Sequence, residues 1–339
     1  MEKIDFVVTW LDSSDPEWIR LYNQYRQDKP ISDRGRFRDW DIFHYWFRAV
    51  ERYAPWVNKV FLVTNGTFPE WINPACSKLV LVNHKDYIPD EFLPTFNSNT
   101  IELNFHRIKG LSEHFILFND DVFLNAPTKA EDYFRKGLPC DCNIERAFCW
   151  PTYDPLDKYG ILISLYCDMA ILNRHFYRPD TVRKALWKWI GPHRWSLRKW
   201  NYENLLMLKH HNFEFFITRH REQPMLKSVL QEIWEKEPEL MADSCSRFRK
   251  DVSLNQYLIR YWQFASNRFY PIPWPKGRAF NLNFRCLEEV CNALRGDKMK
   301  SICLNDSPRC RDEEKPEIEK RLRMVFAEKF PQMSMFEKN

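Results

Sequence analysis

The stretch that most constrains this chain is an apolar segment, residues 114–124, that three polar residues interrupt. Aromatic and branched residues flank Asn119, Asp120 and Asp121 on both sides. A short run of this composition is typical of a buried strand. Two adjacent carboxylates repel each other unless a positive charge lies beside them, and Mg²⁺ commonly binds one or two carboxylates together with phosphate oxygens. The pattern predicts a strand that ends in a metal–diphosphate site, with solvated acidic residues in a turn as the alternative.

Composition and charge exclude several classes of protein. The 339 residues include only 8 Gly and contain neither GxGxxG nor GxxxxGK[ST], so we do not expect a glycine-rich phosphate loop. The net charge of +5 fits an anionic substrate or an anionic membrane surface. Basic residues are spread along the chain without a recognised motif, which argues against a nucleic-acid partner. No run approaches the roughly 18 apolar residues of a transmembrane helix.

The start of the chain bears on its location. Residues 1–10 carry charged side chains and lead directly into a predicted strand, unlike a secretory signal. We therefore expect a cytoplasmic protein that touches, at most, the inner face of the cell membrane. Residues 193–200 interleave basic and aromatic side chains, which would suit that peripheral contact. Tryptophans packed inward on a solvated connection are the alternative.

Predicted strands and helices alternate in the first half of the chain. Strands are expected at 4–10, 57–64, 78–83 and 114–118, and helices at 16–28, 41–53 and 100–109. This order predicts an α/β fold with a mostly parallel sheet flanked by helices, and a nucleotide-binding part at residues 1–150.

The character of the chain changes after residue 150. Helices are expected at 181–190, 225–236 and 254–264, which makes 151–277 a mainly helical insertion. Residues 278–339 would rejoin the core through a return strand ending at Leu304 and an amphipathic basic helix at 315–330.

Several polar and thiol side chains are candidates either for ligand binding or for an ordinary structural role. Asp12 and Asp15 follow the first predicted strand, where ligands bind in open α/β sheets, although acidic residues are also ordinary turn formers. Residues 97–100 precede a predicted helix and suit helix capping or ligand contact. The ten cysteines are expected to be reduced thiols. A structural zinc site is the alternative for four of them, which are Cys286, Cys291, Cys303 and Cys310.

Taken together, these motifs resemble the Stealth family of bacterial sugar-phosphate transferases, which are similar to the catalytic core of the animal lysosomal-enzyme N-acetylglucosamine-1-phosphotransferase. The resemblance covers nearly the whole chain in four ordered blocks. Two departures are the Ser13 that follows Asp12, where the family usually has Gly, and Trp40-Asp41 after Arg38-Asp39. The blocks are residues 4–15, 36–124, 220–255 and 302–307, with a family-like ending at 334–338.

The resemblance implies a nucleotide-diphospho-sugar-transferase-like fold and a specific reaction. A hydroxyl of a glycan acceptor, for which a lipid-linked glycan is expected, attacks the β-phosphorus of a UDP-sugar. Hexose-1-phosphate or N-acetylhexosamine-1-phosphate is transferred and UMP leaves, in the synthesis of bacterial capsule or surface polysaccharide. The sugar is left open.

Four parts of that chemistry have candidate residues. Asp120 and Asp121 would hold Mg²⁺ or Mn²⁺ against the diphosphate. Arg249 would follow the charge that develops on the transferred phosphoryl group. His220 would take the proton of the acceptor hydroxyl, because imidazole titrates near neutral pH. Asp306 would orient His220, contact the metal or act as the base itself.

Binding of the nucleotide sugar is assigned to a second group of residues. Asp12, Asn97 and Asn99 would contact the nucleotide or the sugar. Arg38 would pair with the uridine phosphate, or with a neighbouring carboxylate.

Two rival interpretations remain at this stage. A conventional metal-dependent glycosyltransferase would use the same fold and carboxylates, but its substrate would be attacked at the glycosyl carbon and UDP would leave. A non-catalytic glycan- or lipid-binding protein would account for the 16% aromatic content. In that case replacement of Asp120 or His220 would leave function intact.

Overall fold

A five-stranded sheet forms the centre of the molecule. The computed structural model describes residues 2–26, 40–147, 160–190, 203–218, 220–250, 252–273, 276–306 and 310–338. Four parallel strands are joined at one edge by a short antiparallel strand, which confirms the predicted α/β fold with a mostly parallel sheet. In spatial order they are β10 (Gln223–Leu226), β4 (His114–Phe118), β1 (Ile4–Thr9), β2 (Val60–Thr64) and β3 (Leu79–Asn83).

The central strands are buried on both faces because helices cover the sheet. Phe6, Val7 and Val8 of β1 have no exposed surface, as continuous apolar runs in parallel sheets predict. The helices of the first half begin with α1, which Asp15 caps by accepting a hydrogen bond from the Glu17 amide at 2.9 Å. They are α1 (Pro16–Tyr25), α2 (Phe43–Tyr53), α3 (Ser98–Glu102) and α4 (Ala130–Tyr133).

A three-stranded sheet extends the core beyond the end of β4. Here β5 (Val122–Leu124) pairs in antiparallel fashion with β13 (Ser301–Asn305), which pairs with β12 (Gly277–Asn281). The strand predicted to end at Leu304 is therefore present. Helix α11 (Leu287–Arg295) follows β12. The last helix, α12 (Lys315–Lys329), packs on α11 and lies where the amphipathic basic helix was expected.

The middle of the chain is mainly helical but joins the central sheet through β10, so it is not a structurally separate unit. Its helices include α5 (Gly160–His175), α6 (Arg178–Lys184), α7 (Leu186–Trp189), α8 (Lys227–Lys236), α9 (Pro238–Ser244) and α10 (Tyr257–Ala265). Two small sheets flank them, β6 (Phe134–Arg135) with β7 (Leu138–Asp141) and β11 (Tyr270–Pro271), and β8 (Glu145–Arg146) with β9 (Phe215–Phe216). Within the described ranges, no helix has the length and apolarity needed to cross a membrane. The stretch 193–200 lies outside the described residues.

Several predicted element boundaries differ from the structure. The helix expected at 225–236 begins at Lys227, because the preceding residues form β10. Pro224 lies in that strand, and Pro is tolerated at a sheet edge. The helix expected at 100–109 is instead α3 followed by a 3₁₀ turn at Phe105–Arg107.

The C-terminal segment fastens helix α2 to the rest of the molecule. The buried Glu337 carboxylate accepts hydrogen bonds from the Arg48 guanidinium at 2.7 and 2.9 Å and from the Ser334 amide at 2.8 Å. From the same helix, the Trp46 indole donates to the Val122 carbonyl at 3.0 Å. Because Val122 follows Asp121, α2 supports the polar end of β4.

Candidate active site

Asn119, Asp120 and Asp121 form the tight turn between β4 and β5. The Val122 amide donates to the Asn119 carbonyl at 3.1 Å, which closes the turn. The Asp120 side chain is exposed, and the Asp121 side chain is 22% exposed. The turn lies at the carboxyl edge of the parallel strands, where the sequence placed it and where open α/β sheets bind ligands.

His220 reaches the same turn from the middle of the chain. Since β10 runs antiparallel to β4, the residues just before β10 lie at the carboxyl end of β4. The His220 Nε2 atom is 2.9 Å from the Asn119 amide nitrogen and 3.3 Å from Asp121 Oδ1. The structure therefore brings together His220 and the acidic turn, which are about 100 positions apart in the sequence.

Cys303 is a third member of this cluster. Its thiol donates to Asp121 Oδ2 at 3.2 Å, and the Leu304 amide donates to the Asp121 carbonyl at 2.8 Å. The pairing of Cys303 with Val122 across β13 and β5 fixes this approach. This role of Cys303 was not predicted, because strand register between distant segments cannot be read from one sequence.

The three groups perturb one another's protonation. Burial penalises the imidazolium of His220, but the hydrogen bond and charge of Asp121, with the charges of Glu102 and Asp120, raise its pKa above the ordinary value. Burial likewise opposes ionisation of Asp121, yet the contacts with His220 and Cys303 lower its pKa. Burial raises the pKa of the Cys303 thiol far above its usual range, so it remains a protonated donor.

Glu102 and Arg249 lie within electrostatic range of this cluster. Burial raises the pKa of Glu102 to about 7, while the charges of Arg249 and His220 oppose that shift. The exposed Arg249 guanidinium donates to the Ser98 hydroxyl at 2.5 Å, at the start of α3. Glu102 lies in the helix expected at 100–109 but was not predicted as a site residue, because nothing in its local pattern marks burial beside a histidine 118 positions away.

Sequence comparison places these residues in a known family. The family description "Stealth protein CR2, conserved region 2" matches residues 36–140. The capsular polysaccharide phosphotransferase WcwK of Streptococcus pneumoniae is 36% identical over 100% of both chains. The receptor polysaccharide phosphotransferase WefC of Streptococcus oralis is 37% identical over 93% of both chains. The exopolysaccharide phosphotransferase cps2G of Lactiplantibacillus plantarum is 35% identical over 99% of this chain and 96% of its own.

The chain belongs to the Stealth family. It is a phosphotransferase, as its full-length relatives are. The matched Stealth region contains the acidic turn, α2 and α3, whereas His220 and Cys303 lie beyond it, in the part that only the full-length relatives cover.

Asn97 and Asn99 of this Stealth-family chain hold a neighbouring loop in place. Both are almost fully buried. The Asn97 side-chain amide donates to the Ser246 carbonyl at 3.2 Å, and its oxygen caps α3 through the Asn99 amide at 3.1 Å. The Asn99 side chain donates to the Ser253 hydroxyl at 3.2 Å. These contacts position the loop that carries Arg249, and a contact of either asparagine with the nucleotide stays a prediction.

The remaining predicted residues of the Stealth site have different surroundings. Asp12 is partly buried beyond β1, and its carboxylate accepts hydrogen bonds from the Ser14 amide and hydroxyl at 2.8 and 2.6 Å. Asp306 follows β13, two residues after the Leu304 amide that contacts Asp121. Arg38 lies outside the described residues. The roles of all three in binding or chemistry stay predictions.

The acidic turn carries groups of the type that hold a divalent cation, and binding of one stays a prediction. Ligand atoms of Asp121, His220 and Cys303 lie within 4.8 Å of one another, and the exposed Asp120 adjoins them. Carboxylate oxygens are the ligands that Mg²⁺ prefers. Within the described ranges, this trio is the only group of three His, Cys, Asp or Glu side chains whose ligand atoms lie this close together. The four later cysteines therefore do not converge on a zinc site.

Proposed function

We propose that this protein transfers hexose-1-phosphate or N-acetylhexosamine-1-phosphate from a UDP-sugar to a hydroxyl of a glycan acceptor during synthesis of a bacterial surface polysaccharide. The acceptor oxygen forms a bond to the β-phosphorus, the bond from that phosphorus to the bridging oxygen breaks, and UMP leaves. The observation that carries the proposal is the contact of His220 with Asp121 at the carboxyl edge of the sheet, in a chain whose full-length relatives are polysaccharide phosphotransferases.

His220 would act as the general base. A base must lie within hydrogen-bonding reach of the proton it removes and must be oriented. The partly exposed imidazole can meet a substrate, while Asp121 holds it and would stabilise the imidazolium that forms. The raised pKa of His220 strengthens it as a proton acceptor.

Asp120 and Asp121 would hold Mg²⁺ or Mn²⁺, which when bound supplies positive charge to neutralise the diphosphate. The Asp121 carboxylate already accepts from Cys303 through one oxygen and contacts His220 through the other. Its geometry is therefore fixed before a ligand arrives. Arg249 is exposed on the neighbouring loop, and its guanidinium fork would match two oxygens of the transferred phosphoryl group.

Identification of the released nucleotide tests this proposal. The purified protein is incubated with a panel of UDP-sugars, Mg²⁺ or Mn²⁺ and a lipid-linked or synthetic glycan acceptor. We expect UMP, and we expect Asp120→Ala and His220→Ala to lower its rate of release by a factor of at least about 100. Release of UDP would instead identify a glycosyltransferase that attacks the glycosyl carbon.

A further inference from the structure

A cavity separate from the acidic turn lies beside β10. It has a volume of about 360 Å³, at the small end of the range for ligand pockets. Gln223 and Pro224 of β10 form one wall, Cys140 and Asp141 of β7 form another, and Ile272 lies on a third side. We call it the β10 cavity.

The β10 cavity connects to the candidate active site through two segments of chain. Arg221, Glu222 and Gln223 line it and directly follow His220. Lys300 also lines it, three residues before Cys303, which contacts Asp121. At about 3.3 Å per residue along a strand, Lys300 and Cys303 are roughly 10 Å apart. The cavity is therefore adjacent to the reacting groups but separate from them.

Three of the five basic side chains in the cavity wall are paired with carboxylates. The Arg260 guanidinium binds both carboxylate oxygens of Asp141, at 2.6 and 3.1 Å. Arg221 donates to Glu222 at 2.7 Å, and Lys300 pairs with Asp132. Arg135 and Lys276 also line the cavity, so its five basic and three acidic side chains give a net charge of +2, which admits a neutral or an anionic sugar unit.

Two buried oxygens of the cavity residues lack donors. Glu222 Oε2 and Gln223 Oε1 accept no hydrogen bond from any residue in the described ranges. An unsatisfied buried acceptor is unfavourable, and a hydroxyl donor would relieve that cost after a small side-chain rotation. Tyr133, Pro224 and Ile272 add apolar surface. Apolar walls with a few polar groups are typical of small-molecule sites.

Gly277 helps to keep the cavity wall in this arrangement. A Cβ atom at Gly277 would lie 2.8 Å from Cζ of Arg221 and 2.7 Å from Oγ of Ser301. Any larger residue would displace the Arg221 side chain from Glu222. The absence of a side chain at Gly277 therefore allows the Arg221–Glu222 pair to form where it does.

We propose that the β10 cavity binds a sugar unit of the acceptor glycan, adjacent to the unit whose hydroxyl receives the phosphate. This assignment rests on the proposed function, since it takes the acceptor to be a glycan. Hydroxyl groups of the bound sugar donate to Glu222 and Gln223, and the ring packs against the apolar wall. The cavity thereby determines which acceptor unit is presented to His220.

Direct binding of simple sugars tests the assignment without chemistry. Saturation-transfer NMR is recorded with methyl glycosides of glucose, galactose, N-acetylglucosamine and N-acetylgalactosamine. We expect at least one glycoside to bind the native protein, and its Kd to rise at least about tenfold in Ile272→Trp, which fills the cavity. Met324→Trp on the exposed face of α12 is the matched control and should leave binding unchanged.

A second variant keeps the test decisive if Ile272→Trp does not fold. Gln223→Met has a similar volume but removes the unsatisfied oxygen, so it should fold and weaken glycoside binding several-fold. Unchanged binding in both variants, or no binding of any glycoside to the native protein, would overturn the assignment. The outcome is independent of whether UMP or UDP is released, so failure here is distinct from failure of the proposed reaction.

Discussion

The buried ion pair between Arg48 and Glu337 makes a quantitative prediction about stability. The side chain of Glu337 is 3% exposed and that of Arg48 is 14% exposed. Removing one partner of a buried pair leaves the other charge unpaired, which typically costs about 3–5 kcal/mol. Arg48 retains a hydrogen bond to the Phe330 carbonyl at 2.9 Å. We therefore expect Glu337→Gln to lower the free energy of unfolding by about 3 kcal/mol, near the smaller limit.

A double-mutant cycle isolates the interaction itself. Urea unfolding is followed by tryptophan fluorescence for the native protein, Glu337→Gln, Arg48→Met and the double variant. Because the double variant leaves no buried unpaired charge, its loss should fall short of the summed single losses by about 2 kcal/mol. The exposed pair of Arg20 and Glu17, whose side chains are 60% and 61% exposed, is the control and should show no measurable coupling.

The pH dependence of this coupling gives a further check. Burial opposes ionisation of Glu337, but hydrogen bonds from Arg48 and Ser334 lower its pKa below the ordinary value of 4.5. The pair therefore stabilises the folded state above pH 4.5, and that contribution is lost as the pH falls through the lowered pKa. Losses that add within about 0.5 kcal/mol at pH 7 would refute the reasoning.

Three further predictions concern single residues. Burial lowers the pKa of His84 to about 4, so its protonation destabilises the folded state as the pH falls from 6.5 to 4. In urea titrations, His84→Gln should reduce the loss of unfolding free energy over this pH range by about 3 kcal/mol. The exposed His211→Gln is the control and should leave that loss unchanged. Gly66→Ala should lower the free energy of unfolding by about 1–3 kcal/mol, because φ is +116° and a Cβ would lie 2.5 Å from the Asn83 amide; an unchanged urea midpoint would contradict this. Cys303→Ala should lower kcat about tenfold by releasing Asp121, and Cys303→Ser, which restores a donor, should recover most of it; equal rates in both variants would argue against that role.

The central sheet was predictable because the sequence of each long strand is itself typical of a buried strand. Each of β1, β2 and β4 contains a continuous apolar run and is followed by turn-forming residues, a pattern that predicts a buried strand. The position of Asn119 to Asp121 at a strand end followed from the same pattern. The extended pairing of β10 was not predicted, since four residues that include Pro224 give too little periodicity to distinguish a strand from the start of a helix.

The composition of the site was only partly predictable, because its members meet through register. His220 entered through family resemblance, and the structure brings it to the acidic turn. Cys303 contacts Asp121 because β13 pairs with β5 at one alignment, and a shift of one residue would point the thiol to the opposite face. Glu102 acquires its raised pKa from burial by distant segments. None of these causes is local in the sequence.

The antiparallel pairing of β10 with β4, and that of β13 with β5, determine when during folding the site can form. Asp121 meets its partners at sequence separations of 99 and 182 residues. Contacts of such long range form late, since the chain between them must first be closed into loops. On the ribosome, the sheet of β1 to β4 can assemble while the rest of the chain is still being made. His220 and Cys303 arrive afterwards, so the reacting groups come together only when nearly the whole chain has been synthesised, and a prematurely ended chain carries the acidic turn without the groups that orient it.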